Sequence, residues 1–535
     1  MTSAPDRGVI KPAAADTIHA MVLLLDALQQ ALADPQCAPR WHRLLALWLE
    51  TTDAAARREL VQILETSSQA EPRADILRLT FLAGATRESR FEHAAAQRVL
   101  AMEPADPDRL AAFIAYLWLA ALQYCPGRTE FAAELLAARV PQMVGRLAQQ
   151  AQRLLPRSFA PRISERIDRL AAVVPYVGNQ FHTPSVMAAA QCTLLAREGL
   201  QVRIFSAQEL TPPENALFRG DAGVPSLPAL DLEGWVRALP AGLSMTVSDA
   251  RFSLSGRWRN MMPVLADFDP DAVLMVGFYS PLAAALYRVR PVVGISVNTV
   301  PPIAPVDVWL TADPAAPAAQ AWGEVFPPPH AIYHPQRLRR ESKRWGVTRA
   351  QLGMSETDVI WVTAGFRLEH EISGEWAARM LDLLSRHHGV CWLLVGGEGK
   401  MPPALRQAAP GRVRVLPTRE DISGILRLCD IFVNPPRMGG GFSVAEAMAE
   451  AMPVTAFAGS DGGDKVGPLA LEGIDAYVER LAALTRAPDL RAAMGETLRR
   501  RFAEHFDSAS SGPALLAAIK EAAARARVRL SSAAS

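Results

Sequence analysis

The sequence predicts an α/β protein: two facing doubly wound, Rossmann-like domains preceded by an all-α N-terminal domain. Three observations predict it. Residues before about 160 carry helical periodicity and little else. From about 165, short apolar runs alternate with helical stretches, and the same alternation restarts after a proline-containing connector at 318–345. Strand–helix–strand alternation requires crossover connections and therefore a parallel sheet. The expected domains are 1–160 (all-α), 161–335 (first Rossmann-like domain), 336–505 (second) and 506–535 (C-terminal helix and tail).

The helical segment opens with TIHAMVLLLDALQQALA at 17–33, where apolar residues recur at i, i+3 and i+4. Similar patterns follow near 41–50, 56–66, 75–84, 91–102, 109–124 and 129–153, punctuated by Asp34-Pro35, Pro104 to Pro107 and Cys125-Pro126-Gly127. The phrase AAAQRVLAMEPADPDRLAAF (94–113) has the look of a helical-repeat unit, but no period of 34 residues accompanies it. A packing or docking domain is the expected role.

In the first α/β series, strands are expected at 169–177, 201–206, 272–276, 292–297 and 306–311. Residues 185–198 read as a helix, and Ser280 with Pro281 reads as the capped start of another. The irregular, proline-rich stretch 207–260 reads as an insertion. The second series has expected strands at 359–364, 390–395, 412–416, 431–434 and 454–458. A Lys/Arg-bearing helix at 513–530 closes the chain, and its Arg525, Arg527 and Arg529 read as a solvated face. Open α/β sheets bind ligands beyond the carboxyl ends of their strands, so the cleft between the two halves is where function is sought.

Composition narrows the function. Lys+Arg is 56 against Asp+Glu 55, so the surplus of a nucleic-acid binder is missing. Five scattered cysteines without a CxxC pair exclude a disulfide framework and a cysteine-rich zinc site, and suit a reducing cytosol. The N-terminal MTSAPDRGVIKPAAAD lacks the apolar stretch of a secretory signal, and the most apolar run, 110–122, is too short to span a bilayer. The expectation is a cytoplasmic protein with at most peripheral membrane contact.

The strongest chemical signal is NPPRMGGGFSVAEAMAEAMP at 434–453. A strand ends at Asn434, the glycines Gly439, Gly440 and Gly441 follow, and a helix begins near Ser443. Glycines let backbone approach a ligand closely, and a helix N-terminus offers unpaired N–H groups and partial positive charge, which suits a phosphate or diphosphate. Ser443-Val-Ala-Glu446 also has the spacing of a capping box, which accounts for Ser443 and Glu446 but not for three successive glycines.

This stretch resembles the donor-binding signature of GT-B-fold glycosyltransferases, especially the family 4 (group 1) type, and the resemblance extends over about 165–505. It implies a GT-B core, ribose binding by Glu446, and diphosphate binding by the Gly439–Gly441 amides together with Ser443. Gly365-Phe366-Arg367 is similar to the family's "GR" turn, whose arginine binds the diphosphate. The 413–435 segment, with Thr418, resembles the wall of the nucleobase pocket, and SDGGDKVG (460–467) resembles a later loop on the acceptor side. Met438 stands where the commoner pattern has a first glutamate, and Ile372 where it has a lysine; Lys400 and Lys465 are the candidates for that missing cation. The loop 178–184 (GNQFHTP) corresponds to one facing donor and acceptor, and His182 is its titratable group, with an ordinary pKa of about 6.5 that suits a base or donor.

The resemblance implies a hexosyltransferase of bacterial type that takes a UDP- or GDP-sugar as substrate. Its acceptor is a glycan, a lipid-linked saccharide or a protein such as an adhesin, and transfer retains the anomeric configuration. With Arg367, a lysine and the helix N-terminus carrying the phosphate charge, no metal or other cofactor is expected. A sugar-nucleotide epimerase and a catalytically inactive GT-B scaffold are the other readings of the fold, and the helical domain is a docking place for a partner protein. Gly277 to Ser280 reads as a strand-to-helix turn or as a lining of the acceptor cleft, Asp267-Phe-Asp269 precedes a strand instead of ending one, and GGEGKM (396–401) lacks the first glycine and the Ser/Thr of a P-loop.

Overall fold

A computed structural model describes residues 14–532 apart from 36, 52–53, 68–70, 87, 103–105, 125–138, 158, 181, 211–228, 298–300, 313–321, 324, 339–346, 398, 409, 420–421 and 438. Met438 and Phe181 therefore lie outside the described residues. The chain divides into two compact units, a helical one carried by residues up to Leu117 and an α/β one that follows.

The helical unit uses α1 (Ala14–Ala33), α2 (Ala38–Glu50), α3 (Ala54–Thr66), α4 (Pro72–Thr86), α5 (Ser89–Ala101) and the start of α6 (Pro107–Tyr124). Helix α4 is its centre: every residue from Ala74 to Gly84 is buried. Trp41 and Trp48 of α2 pack on Phe81 of α4, with ring centroids 5.8 and 6.2 Å apart. The buried Asp75 is paired with Arg78 at 2.7 Å and Arg98 at 2.8 Å, so its charge is compensated.

The α/β unit holds two all-parallel sheets. The first comprises β1 (Arg169–Val173), β2 (Gln201–Ser206), β3 (Ser244–Val247), β4 (Ala272–Val276), β5 (Val292–Ile295), β6 (Val308–Thr311) and β7 (His330–Tyr333), in the order β3-β2-β1-β4-β5-β6-β7. Its strands are linked or flanked by α7 (Val140–Gln152), α8 (Thr183–Arg197), α9 (Leu232–Ala238), α10 (Leu254–Phe268) and α11 (Pro281–Leu286). The two strands the sequence hid, β3 and β7, are the two edges of this sheet. An edge strand has one neighbour and needs no continuous apolar run, and both are short and half-exposed.

The second sheet comprises β8 (Val359–Ala364), β9 (Val390–Val395), β10 (Val413–Leu416), β11 (Ile431–Val433) and β12 (Val454–Thr455), in the order β10-β9-β8-β11-β12. Around it lie α12 (Leu368–Glu371), α13 (Gly374–Arg386), α14 (Ile422–Leu426), α15 (Gly441–Ala449), α16 (Asp461–Val466), α17 (Ile474–Arg486) and α18 (Pro488–His505). Its core is built on aromatics, with Trp376 of α13 edge-on to Trp392 of β9 at 5.9 Å. Ile372 is fully buried in that core.

The last helix, α19 (Gly512–Ser532), returns to the first sheet and packs on α8, β5 and β6. Leu515, Ala518, Ile519 and Ala522 complete that sheet's core. Arg529 is anchored there and not solvated as its surroundings in the sequence suggest: it binds both carboxylate oxygens of Asp307 at 3.0 Å and stacks on Tyr287 at 3.6 Å. No helix among the described residues is long and apolar enough to cross a membrane.

Candidate active site

All strands of the second sheet are parallel, so the loops after them emerge along one edge. Those loops carry Gly365 to Arg367 after β8, Gly396 to Lys400 after β9, Thr418 after β10, Gly439 to Gly441 after β11 and Ser460 to Lys465 after β12. The strand order reverses between β8 and β11. Crossovers leave these two strands toward opposite sides, and the gap between them is the crevice where such sheets take ligands. Arg367 and Gly439 stand on its two lips: a Cβ added to Gly439 would lie 3.2 Å from an Arg367 guanidinium nitrogen.

Residues 358–486 match the family model described as "Glycosyl transferases group 1". The second sheet is thus the part of the chain that is similar to group 1 glycosyltransferases. The two parallel sheets of the α/β unit have the GT-B fold. A mutant of the Thermobaculum terrenum O-GlcNAc transferase aligns with 98% of this chain and 100% of its own at 14% identity and a TM-score of 0.53. The lipopolysaccharide glycosyltransferase WaaG aligns with 65% of this chain and 99% of its own at 14% identity and TM-score 0.42. A putative UDP-N-acetylglucosamine 2-epimerase from Listeria monocytogenes aligns with 66% and 96% at 13% identity and TM-score 0.43. No curated protein sequence matches the chain.

At the edge of the second sheet, Arg367 is held by Glu371 one helical turn on. Its Nε and an Nη donate to Glu371 Oε1 at 3.0 and 2.8 Å. The other oxygen, Oε2, accepts from Arg437 at 2.8 Å. Burial would raise the Glu371 pKa, but the two guanidiniums outweigh it and hold the carboxyl below its usual value. Arg437 is fully used inside the protein: it also donates to Asn434 Oδ1 at 3.0 and 2.8 Å and to the Ala364 carbonyl at 2.9 Å. It therefore ties the ends of β8 and β11 together, while Arg367, a quarter exposed, is the guanidinium presented to the crevice.

The glycine turn has internal reasons of its own. Gly439 and Gly440 have φ of +94° and +79°, a backbone that favours glycine. A Cβ on Gly440 would lie 2.2 Å from Arg437 Nε. Gly440 is also the N-cap of α15, without a side-chain cap, so Ser443 and Glu446 do not form the capping box their spacing suggests. The first helical bond runs from Val444 N–H to Gly440 O, which leaves the amides of Gly441, Phe442 and Ser443 ahead of the ladder. Phe442 packs against the core of the first sheet, so this helix start lies where the two α/β halves meet. Glu446 is half-buried further along α15.

Of the two candidate lysines, Lys465 belongs to this cluster. It lies one turn after Asp461 on α16, and Asp461 is under the electrostatic influence of Lys465, Arg367 and Arg437. Burial lowers the Lys465 pKa against the pull of Asp461 and Asp464. Its Nζ also lies 5.1 Å over the Phe506 ring. Lys400 is exposed beyond β9, where Thr418 binds the same loop through the Gly397 carbonyl at 3.2 Å.

His182 lies on the other α/β half, as the N-cap of α8. Its Nδ1 is 2.7 Å from Ser185 Oγ, and its ring stands edge-on to Tyr176 at 5.6 Å. Burial pulls its pKa down to about 4, so it is neutral at pH 7 and not the near-neutral titrating group its ordinary value suggests. The Gly277–Ser280 loop is a structural turn. Ser280 caps α11 through Ala283 N–H at 3.1 Å, and Tyr279 donates to the Glu209 carbonyl at 2.7 Å. Asp269 is occupied by Arg162, Arg169 and Arg290.

Sequence reading missed Glu371, Arg437 and Asp461 as members of the site. The signals were present: Glu371 is i+4 from Arg367, and Arg437 and Asp461 stand inside the two quoted motifs.

Proposed function

We propose that the chain is a nucleotide-sugar-dependent hexosyltransferase whose donor diphosphate binds between Arg367 and the Gly439–Gly441 turn. The observation that carries this reading is the meeting of an internally braced, presented guanidinium with a helix N-terminus at the strand-order reversal of the second sheet. Arg367 and Lys465 stabilise the negative charge that develops on the departing nucleoside diphosphate, and the amides ahead of α15 add preorganised donors. Ser443 lies beside those amides, Glu446 takes the ribose hydroxyls, and Thr418 and Lys400 line the nucleobase side. Lys465 fills the cationic place that the buried Ile372 cannot. Neutral His182 acts as a hydrogen-bond acceptor or donor to the acceptor. The sugar passes with retention to a glycan, a lipid-linked saccharide or a polypeptide, in the cytoplasm and without a metal, and the helical unit engages the acceptor or a partner protein.

Hydrolysis of UDP- and GDP-sugars by the full chain, with and without EDTA, tests this. The expected result is release of nucleoside diphosphate from one donor, insensitive to EDTA and strongly reduced in Arg367→Ala. Turnover that needs a divalent ion, or that survives undiminished in Arg367→Ala, overturns the site assignment.

A further inference from the structure

The crevice already contains an anion of the protein's own. The backbone amide of Gly439 donates toward the Asp461 carboxylate. Asp461 also lies against the first residue of α15: a Cβ on Gly441 would meet its carbonyl oxygen at 3.0 Å and its own Cβ at 3.3 Å. Three cations act on the carboxylate electrostatically: Lys465 of its own helix, Arg367 after β8 and Arg437 after β11.

Two polar atoms beside it are buried without partners. One is Asp461 Oδ1 itself. The other is Asn434 Nδ2, whose oxygen is fixed on Arg437 and whose amide nitrogen adjoins Gly462, the next residue after Asp461, at 2.5 Å from a Cβ placed there. Each of these unpaired buried atoms costs stability, and the Asn434 amide, adjoining the residue after Asp461, offers the carboxylate a second seat.

We propose that Asp461 is a resident counter-anion of the donor site, which holds the Gly439 amide and the surrounding cations until a diphosphate displaces it toward Asn434. This rests on the function proposed above. The physical reason is direct: a carboxylate and a diphosphate cannot share one amide and one set of cations without like-charge repulsion. Burial raises the Asp461 pKa, in keeping with a carboxylate held at a cost. Asp461 thus lowers donor affinity and fills the crevice between turnovers.

Calorimetric titration of UDP in EDTA-containing buffer into the full chain, Asp461→Asn, Asp461→Ser and Arg367→Ala tests this, with GDP as a second probe and thermal melts as the fold check. The expected result is about tenfold or tighter binding in both Asp461 variants, since one like charge is removed from a partly desolvated site, and loss of binding in Arg367→Ala. Binding by the Asp461 variants alone, with a silent wild type, equally supports it. Equal or weaker binding in folded Asp461 variants, beside wild-type binding that Arg367→Ala abolishes, overturns the counter-anion and leaves the site assignment standing. Absence of UDP and GDP binding in all four proteins overturns both.

Discussion

Glu371 and Arg437 meet at 2.8 Å beneath the crevice, and neither is exposed by more than a tenth of its side chain. The second carboxylate oxygen of Glu371 carries Arg367. One carboxylate therefore both compensates a buried guanidinium, Arg437, and aims the part-exposed one of Arg367 at the crevice. Removing its charge leaves Arg437 buried and under-compensated, a change that costs about 3–5 kcal/mol. Glu371→Gln is expected to lower the denaturant midpoint accordingly and to weaken UDP binding. The folded pKa of Glu371 is depressed, so its stabilisation is present above the unfolded value of about 4.5 and is lost as pH falls through the lower folded value. Wild type is expected to lose stability on acidification over that range, and Glu371→Gln to lose less, as read by melts from neutral to acid pH.

Gly440 separates conformational demand from close approach. A methyl group there would meet Arg437 Nε at 2.2 Å in addition to requiring φ of +79°. Gly374 has a similar φ, +63°, with nothing within 4 Å of an added Cβ. Gly374→Ala is expected to cost about 1–2 kcal/mol, the backbone contribution alone. Gly440→Ala is expected to cost about 2–4 kcal/mol, because the arginine must also shift. Equal denaturation midpoints for the two variants would refute the packing role of the glycine.

Much of the fold was legible because the parallel strands at the centre of both sheets are buried on both faces and read as apolar runs, as 359–364 and 390–395 do. Strands β3 and β7 were hidden because edges escape that requirement. The site was legible where glycines and a helix start mark it. What the sequence could not display is side-chain pairing across the turn. Nothing in NPPR distinguishes an arginine buried under the crevice from one presented to it, and Arg437 and Arg367 turn out to play those opposite parts.

Where α19 returns to the first sheet, its Arg529 covers the nearly inaccessible Asp307. Arg529→Leu leaves that carboxylate buried with the Val292 amide but without its cation. A loss of about 3–5 kcal/mol is expected. Adding Asp307→Asn should recover a substantial part of it, because the uncompensated charge and not the lost packing dominates. A double variant no more stable than Arg529→Leu alone would reverse that ranking.

Glu209 provides a pH test on the other α/β half. Its carboxylate accepts from Trp258 Nε1 at 2.9 Å, from Ser280 Oγ at 2.6 Å and from the Leu282 amide at 2.7 Å, and it is wholly buried. Burial raises its pKa to about 7, against the lowering effect of those donors and of Arg257. A group whose folded pKa exceeds its unfolded value of about 4.5 gives its full stabilisation below that value and loses it as pH rises through about 7. Glu209→Gln keeps the shape, and its carbonyl oxygen still accepts from Trp258 and Leu282, while its amide faces Ser280 Oγ. The variant is therefore expected to match or exceed wild-type stability at pH 8 and to lose the decline that wild type shows between about pH 4.5 and 7. The difference between the two denaturation midpoints, followed against pH, isolates Glu209 from the other carboxylates. A difference that stays constant across that window would show that Glu209 does not change its protonation there, and that its three donors outweigh its burial.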